Sequence, residues 1–167
     1  MLAIKNVLVA TDFSKCSEVA LNYGRALARQ FGARLHVMHA VEPIPVDAIS
    51  AGGFATAIPE LQANLESAER AQLEELLTED DRRTLRATTV LASFATPAPA
   101  IVGYAETEQV DLIVVGTHGR RGFSHLLMGS VAEKVVRTAP CPVLTVRNPE
   151  REFIVAEANA HLANAST

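Results

Sequence analysis

DLIVVGTHGRRGFSHLLMGS, residues 111–130, joins an apolar run to a glycine-rich loop and then to the start of a helical pattern. The apolar run is typical of a strand that is buried on both faces of a parallel sheet. Gly116 and Gly119 allow the backbone to turn away from the strand end and to approach a ligand closely. Gly129 and Ser130 then leave bare N–H groups at the start of the next helix. The stretch predicts an anion site, and the alternative is an ordinary glycine-rich turn between a strand and a helix.

Outward from this stretch, strand and helix patterns alternate along the chain. Ser14 is placed to cap the first helix, and Gly32 is placed to end it. The alternation predicts an α/β fold, with one parallel sheet covered by helices on both faces and right-handed crossovers between strands. It leaves the order of the strands open. Strand patterns fall at residues 4–10, 35–41, 88–93, 112–115 and 143–147, and helical patterns fall at 15–31, 59–79, 97 onward and 130–138.

Three segments lie outside this alternation. Residues 42–58 contain prolines and glycines without a sustained period and predict a long loop. The charged run at 79–83 predicts the solvent-exposed end of a helix. The C-terminal tail at 148–167 predicts either a short docked helix or disorder.

The composition limits the class of protein. Of the 167 residues, 49% are hydrophobic and 20% are charged, so we expect one domain with a sizeable core. The net charge of −4 gives no basic footprint, and we expect no nucleic-acid partner. No apolar stretch reaches membrane-spanning length and no signal-peptide pattern opens the chain, which predicts a cytoplasmic protein without membrane insertion. Cys16 and Cys141 match no zinc or redox-motif spacing, so we expect reduced thiols, with a redox role for Cys16 as the alternative.

The glycine spacing G-x2-G-x9-G-[ST], with the apolar run before it and PCPVLTV at residues 140–146 after it, resembles the universal stress protein family. Residues 7–14, VLVATDFS, also resemble the opening strand and adenine-binding turn of that family. The resemblance covers residues 4–147. It implies a family domain at residues 1–147 with an open five-stranded parallel sheet of the adenine nucleotide alpha hydrolase-like type, in strand order 3-2-1-4-5. The complete glycine motif is that of the ATP-binding branch.

In that implied order the sheet reverses between the first and fourth strands. Ligands of open α/β sheets bind at such a reversal, outside the carboxyl ends of the strands. Thr11 and Asp12 leave the first strand and residues 116–130 leave the fourth, so we expect these two segments to meet. Asp12 would accept a hydrogen bond from an exocyclic amine or a ribose hydroxyl, away from phosphate. The alternative role for Asp12 is to cap the first helix.

The resemblance also implies the ligand, which is ATP, with any Mg²⁺ bound mainly through the phosphates. Arg120 would offset phosphate charge, and its alternative is an exposed loop arginine. The family's adenine contacts fall on Ala10, Thr11 and Asp12, with backbone help from Ala40. Its phosphate contacts fall on Gly119, Gly129, Ser130 and Val131. Val115 and Gly116 line the floor.

His36 and His39 are three apart on a strand and point to opposite faces, so they predict no shared metal site.

The chain lacks the lysine-bearing phosphate loop G-x4-G-K-[ST], and no residue of the motif is an evident base for activating water. We therefore predict no catalytic residue and at most a weak ATPase. The sequence favours a nucleotide-dependent sensor or regulator in the stress response. The alternatives are a slow adenine-nucleotide hydrolase or transferase, and a nucleotide-free dimeric interaction module.

The last strand pattern predicts a homodimer. The implied strand order puts it at the edge of the sheet, where Val143, Leu144 and Val146 form an apolar row that invites pairing with another chain. Pro140 and Pro142 lack N–H donors and would confine the pairing to residues 143–147. Relatives commonly dimerise by this strand, and we further expect a protein partner that the sequence does not identify.

Overall fold

A computed structural model describes residues 3–44, 58–93, 95–119 and 128–148. Arg120, most of the expected loop at 42–58 and all but the first residue of the tail at 148–167 lie outside these ranges. The elements, in chain order, are β1 (Asn6–Ala10), α1 (Lys15–Phe31), β2 (Arg34–Val41), α2 (Ile58–Glu75), α3 (Glu79–Thr84), β3 (Thr88–Ser93), α4 (Pro97–Thr107), β4 (Leu112–Gly116), α5 (Ser130–Thr138) and β5 (Val143–Val146).

The five strands form one parallel sheet in the order β3-β2-β1-β4-β5, which confirms the expected α/β fold and its strand order. Val9 lies at the centre of the sheet, paired with Val37 on one side and with Val114 on the other. The order reverses between β1 and β4, so the chain leaves these two neighbouring strands toward opposite faces. A crevice opens between them at the carboxyl edge of the sheet.

The core has two layers because successive side chains of a strand point to opposite faces of the sheet. In one layer Leu21 of α1 belongs to the same buried cluster as Val9. In the other layer Ile101 of α4 and Val135 of α5 cluster with Leu8. Each fully buried aliphatic side chain of this kind contributes about 1.5–3 kcal/mol to folding. The two layers hold the strand ends at fixed positions around the crevice.

The first helix begins and ends at the residues that the sequence predicted. The Ser14 hydroxyl accepts a hydrogen bond from the Ser17 N–H at 3.3 Å, which satisfies one of the free donors at the start of α1. Gly32 ends the helix in the left-handed conformation at φ 63°.

The predicted single helix at 59–79 is wrong, because α2 ends at Glu75 and a separate helix, α3, begins at Glu79. Thr78 starts α3 with a capping box, in which its side chain accepts from the Asp81 N–H and the Asp81 carboxylate accepts from the Thr78 N–H. The charged run at 79–83 is mostly exposed, as predicted, but it forms α3 instead of ending α2, and it contains one buried carboxylate. Asp81 is 1% exposed and pairs with Arg25 at 3.0 Å and with Arg29 at 3.3 Å.

Burial alone would raise the pKa of Asp81, but the hydrogen bonds from Thr78 and the charge of Arg25 outweigh it and lower that pKa below its ordinary value. The carboxylate is therefore ionised at neutral pH, and it joins α3 to α1.

The apolar face expected for the second helix is only partly buried. Leu73 packs in the core, whereas Leu61 is 50% exposed and Leu65 lies at the rim of the crevice. Among the helices that the structure describes, none has the length and apolar character needed to cross a membrane.

Candidate functional site

A cleft of about 660 Å³ opens over the carboxyl ends of β1, β2 and β4, at the reversal of strand order. Its volume lies within the range of small-molecule sites. Helices α2, α4 and α5 supply its walls. Every site residue expected from the sequence lines this cleft except Arg120, which lies outside the described residues; the lining includes Ala10, Thr11, Asp12, Ala40, Val115, Gly116, Gly119, Gly129, Ser130 and Val131.

The turn after β1 is shaped by its own side chains. The Phe13 N–H donates to Thr11 Oγ1 at 3.0 Å, and the Ser14 N–H donates to Asp12 Oδ1 at 3.2 Å. Ser14 is the N-cap of α1, so Asp12 shapes the turn before the helix and does not cap it. Phe13 has a positive φ of 63°, which is uncommon for a bulky residue and typical of backbone held in place at functional sites.

The glycine loop after β4 comes close to this turn, as the sequence predicted. A Cβ atom placed on Gly119 would lie 2.6 Å from Asp12 Oδ2, so only glycine fits there without a shift. The Gly129 N–H donates to the Thr117 carbonyl oxygen at 2.6 Å, and a Cβ on Gly129 would lie 3.0 Å from that same oxygen. The two glycines let the backbone fold tightly against its neighbours at the lining of the cleft.

The start of α5 faces the cleft. Its N-cap is Gly129, which offers no side-chain hydrogen bond, and the first intrahelical bond runs from the Glu133 N–H to the Gly129 carbonyl. The N–H groups of Ser130, Val131 and Ala132 therefore have no acceptor within the helix. All three residues line the cleft. Free N–H groups together with the positive end of the helix dipole favour an anion.

The end of β2 offers a backbone donor and acceptor. The Thr11 N–H donates to the Met38 carbonyl, and the Ala95 N–H donates to the Val41 carbonyl. Backbone groups alternate in direction along a strand, so Ala40 points its N–H and C=O to the same side as Met38. Because β1 pairs with β2 only as far as Ala10 and Met38, the Ala40 groups face the space beyond the end of β1.

A second polar group in the cleft was missed by the sequence analysis. His39 Nδ1 lies 2.7 Å from the Thr11 carbonyl oxygen, and His39 Nε2 lies 3.2 Å from Glu69 Oε2 on α2. The ring of Phe13 packs on His39 with 4.4 Å between the ring centroids. One signal could have found Glu69: it lies four residues from both Leu65 and Leu73, which puts a carboxylate on the apolar stripe of its helix.

The other candidates lie apart from this pair. His36 points to the opposite face of the sheet, as predicted, where its Nδ1 lies 2.8 Å from the Tyr104 hydroxyl and burial lowers its pKa. The Cys16 thiol is buried and donates to the Val146 carbonyl at 3.1 Å. Within the described ranges, no group of three histidine, cysteine or acidic residues is placed to hold a metal ion.

Comparison with known proteins identifies the class to which this fold and cleft belong. The model of the Universal stress protein family matches residues 3–147. A universal stress protein of Thermus aquaticus is 40% identical over 144 residues, which cover 86% of this chain and 98% of the relative. Universal stress protein MJ0531 of Methanocaldococcus jannaschii is 32% identical over 148 residues, covering 89% of this chain and 85% of the relative. The chain belongs to the universal stress protein family.

A solved structure agrees with this assignment. The crystal structure of a universal stress protein in complex with cAMP matches with a TM-score of 0.62 and 25% sequence identity, and the match covers 87% of this chain and 98% of that protein.

Proposed function

We propose that this protein binds an adenine nucleotide, with ATP as the first candidate, and acts as a nucleotide-dependent sensor or regulator in the stress response. One observation carries the proposal. From β4 across β1 to β2, the polar groups of the cleft suit in turn the phosphates, the ribose and the base of a nucleotide.

Neighbouring strands lie about 4.8 Å apart, so the ends of three strands span a length comparable to a nucleotide. Over β4, the glycine loop and the free N–H groups of α5 suit phosphates. Over β1, Asp12 suits a ribose hydroxyl, because a carboxylate accepts hydrogen bonds but repels phosphate. Over β2, Ala40 presents a backbone donor beside an acceptor, which complements the edge of a base. Asp12 lies against Gly119, near the end of the cleft that suits phosphates. In a nucleotide the ribose is nearer to the phosphates than the base is, so we expect Asp12 to bind the ribose.

Comparison with relatives supports the same ligand class, since a universal stress protein of similar fold has been solved in complex with cAMP. ATP would carry its Mg²⁺ mainly through the phosphates, in keeping with the donor set of the cleft. We infer binding rather than turnover, because the sequence has no lysine-bearing phosphate loop.

The experiment is to purify the protein without denaturant, unfold it, and separate the released small molecules by chromatography. We expect an adenine nucleotide in the released fraction. The emptied protein, after refolding, should bind ATP in calorimetry with about one nucleotide per chain. Gly129→Val should bind far more weakly, because its side chain would be forced against the Thr117 carbonyl. The absence of both released nucleotide and ATP binding at millimolar ligand would contradict the proposal.

A further inference from the structure

We infer that Glu69, held in place by His39, makes the cleft select a purine with an exocyclic amino group, as in adenine, over one with a keto group at the same position, as in hypoxanthine. The inference rests on the proposed function and concerns the base end of the same cleft.

The first support is the fixed position of the pair. His39 is 7% exposed, and both of its ring nitrogens face oxygen acceptors, the Thr11 carbonyl and the Glu69 carboxylate. Phe13 packs on the imidazole ring. The ring cannot turn without losing these contacts, so the Glu69 side chain, itself only 13% exposed, is held at the wall of the cleft.

The second support is the place of Glu69 along the cleft. It lies beside His39 on β2, the strand that also carries Ala40, and the positive end of α5 lies across the cleft over β4. A nucleotide whose phosphates occupy the α5 end brings its base to the Glu69 end. Two acceptors belong to residues that line this end of the cleft, the Ala40 carbonyl and the Glu69 carboxylate.

The chemistry of these acceptors gives the selectivity. The exocyclic amine of adenine has two N–H donors, one for each acceptor. The keto oxygen of hypoxanthine has none, so it would face the carboxylate without a proton between the two oxygens, and the hypoxanthine N1–H would face the Ala40 N–H, donor against donor. Burying an unpaired acceptor is costly, and a site built for a hydrogen bond rejects an analogue that cannot make it.

The same helix supplies a matched control. Glu66 lies three residues before Glu69, but its Oε2 accepts from the Ser93 hydroxyl at 2.9 Å over β3, and Glu66 is not among the lining residues of the cleft. Glu66→Gln makes the same chemical change as Glu69→Gln at a position outside the base end.

The experiment measures the affinities of ATP and ITP by calorimetry for the wild type, Glu69→Gln and Glu66→Gln, with a thermal melt of each protein to establish that it is folded. We expect the wild type to prefer ATP by about tenfold to a hundredfold, the ratio that one charged hydrogen bond supplies. Glu69→Gln should reduce this preference several-fold, to the part that the Ala40 backbone supplies, because an amide turns either its oxygen or its NH₂ toward the ligand. Glu66→Gln should keep the wild-type ratio.

The outcomes separate the inference from the proposed function. Equal binding of ATP and ITP by the wild type would overturn the inference and leave the proposed function standing. An unchanged preference in a folded Glu69→Gln would overturn it as well. A wild type that binds neither nucleotide would overturn both. If Glu69→Gln does not fold, Glu69→Asp replaces it: the shorter carboxylate should lower the preference for ATP, and an unchanged preference would overturn the inference.

Discussion

At the scale of single residues, the contact between Gly119 and Asp12 joins the two loops of the cleft. A Cβ on Gly119 would meet the Asp12 carboxylate at 2.6 Å, so a larger residue must push that carboxylate away from its place over β1. The glycine was predicted to let the backbone approach a phosphate. The structure adds that it also leaves room for Asp12.

We predict that Gly119→Ala weakens ATP binding by about 1–3 kcal/mol, the range for losing a hydrogen bond to a charged group, with little change in melting temperature. Gly103→Ala is the matched control, because nothing lies within 4 Å of its added Cβ. That variant should keep its ATP affinity and gain about 0.5–1 kcal/mol of stability, since Gly103 lies within a helix.

Calorimetry of the double variant Asp12→Asn, Gly119→Ala checks whether the glycine acts through the aspartate. If it does, the losses of the two single variants should not add. Fully additive losses would contradict the coupling.

The sequence predicted the cleft residues that belong to local motifs, and it missed those that meet only in the folded chain. Asp12 follows the end of β1 and Gly129 is the N-cap of α5, so their positions can be read from neighbouring residues. His39 and Glu69 are thirty residues apart, and their contact depends on where α2 packs on the sheet. The sequence pattern indicated His39 only as a possible metal ligand.

At the scale of elements, the buried carboxylate of Asp81 attaches α3 to α1. Asp81 accepts hydrogen bonds from both Thr78 and Arg25, and Arg25 also donates to the Leu76 carbonyl at 2.5 Å. The linker between α2 and α3 is thereby attached to α1. Asp80 pairs with Arg29 and Arg83 at the surface and is half exposed.

Removal of the buried carboxylate should be far more costly than removal of its neighbour. We predict that Asp81→Ala lowers the free energy of unfolding by about 3–5 kcal/mol, because it leaves Arg25 without its buried partner. Asp80→Ala should change it by about 1 kcal/mol or less. Urea denaturation of both variants measures the difference, and equal effects would show that Asp81 does not anchor α3.

The same contact has a pH dependence of known sign. The folded pKa of Asp81 is lowered, so its contribution to stability is fully present above the ordinary aspartate pKa and is lost as pH falls through the lowered value.

The bounds of two helices and one strand were predicted correctly. Helices α1 and α5 and strand β3 lie at the predicted residues, and Ser14 and Gly32 mark the ends of α1. The break between α2 and α3 was missed, although Thr78 and Asp81 have the spacing of a capping box. An apolar period that continued through Leu76 and Leu77 concealed that signal.

At the scale of the whole molecule, the outer edge of β5 is the surface on which the proposed dimer depends. The Ile113 N–H donates to the Pro142 carbonyl and the Thr117 N–H donates to the Val146 carbonyl, so residue 144 also directs its backbone groups toward β4. By the same alternation, Val143 and Thr145 point their N–H groups outward. A proline at Leu144 would therefore break the sheet, whereas a proline at Thr145 would remove an outward donor.

We predict that the wild type is a dimer at tens of micromolar, formed by antiparallel pairing of two β5 edges about a two-fold axis. Thr145→Pro should be monomeric, because it removes a donor from the pairing edge. Thr145→Ala, which keeps the N–H, should remain dimeric. Light scattering of the three proteins decides the matter, and a monomeric wild type would refute the prediction.

The cleft takes its parts from distant points of the chain, the turn at Asp12, the strand end at Ala40 and the helix start at Gly129. During synthesis the ribosome delivers the last of these only after four of the five strands have been made. A nascent chain, or a fragment cut before Gly129, lacks the end of the cleft proposed for the phosphates. Under the proposed function, nucleotide uptake would therefore wait for the last part of the cleft and would be among the last events in the maturation of the protein.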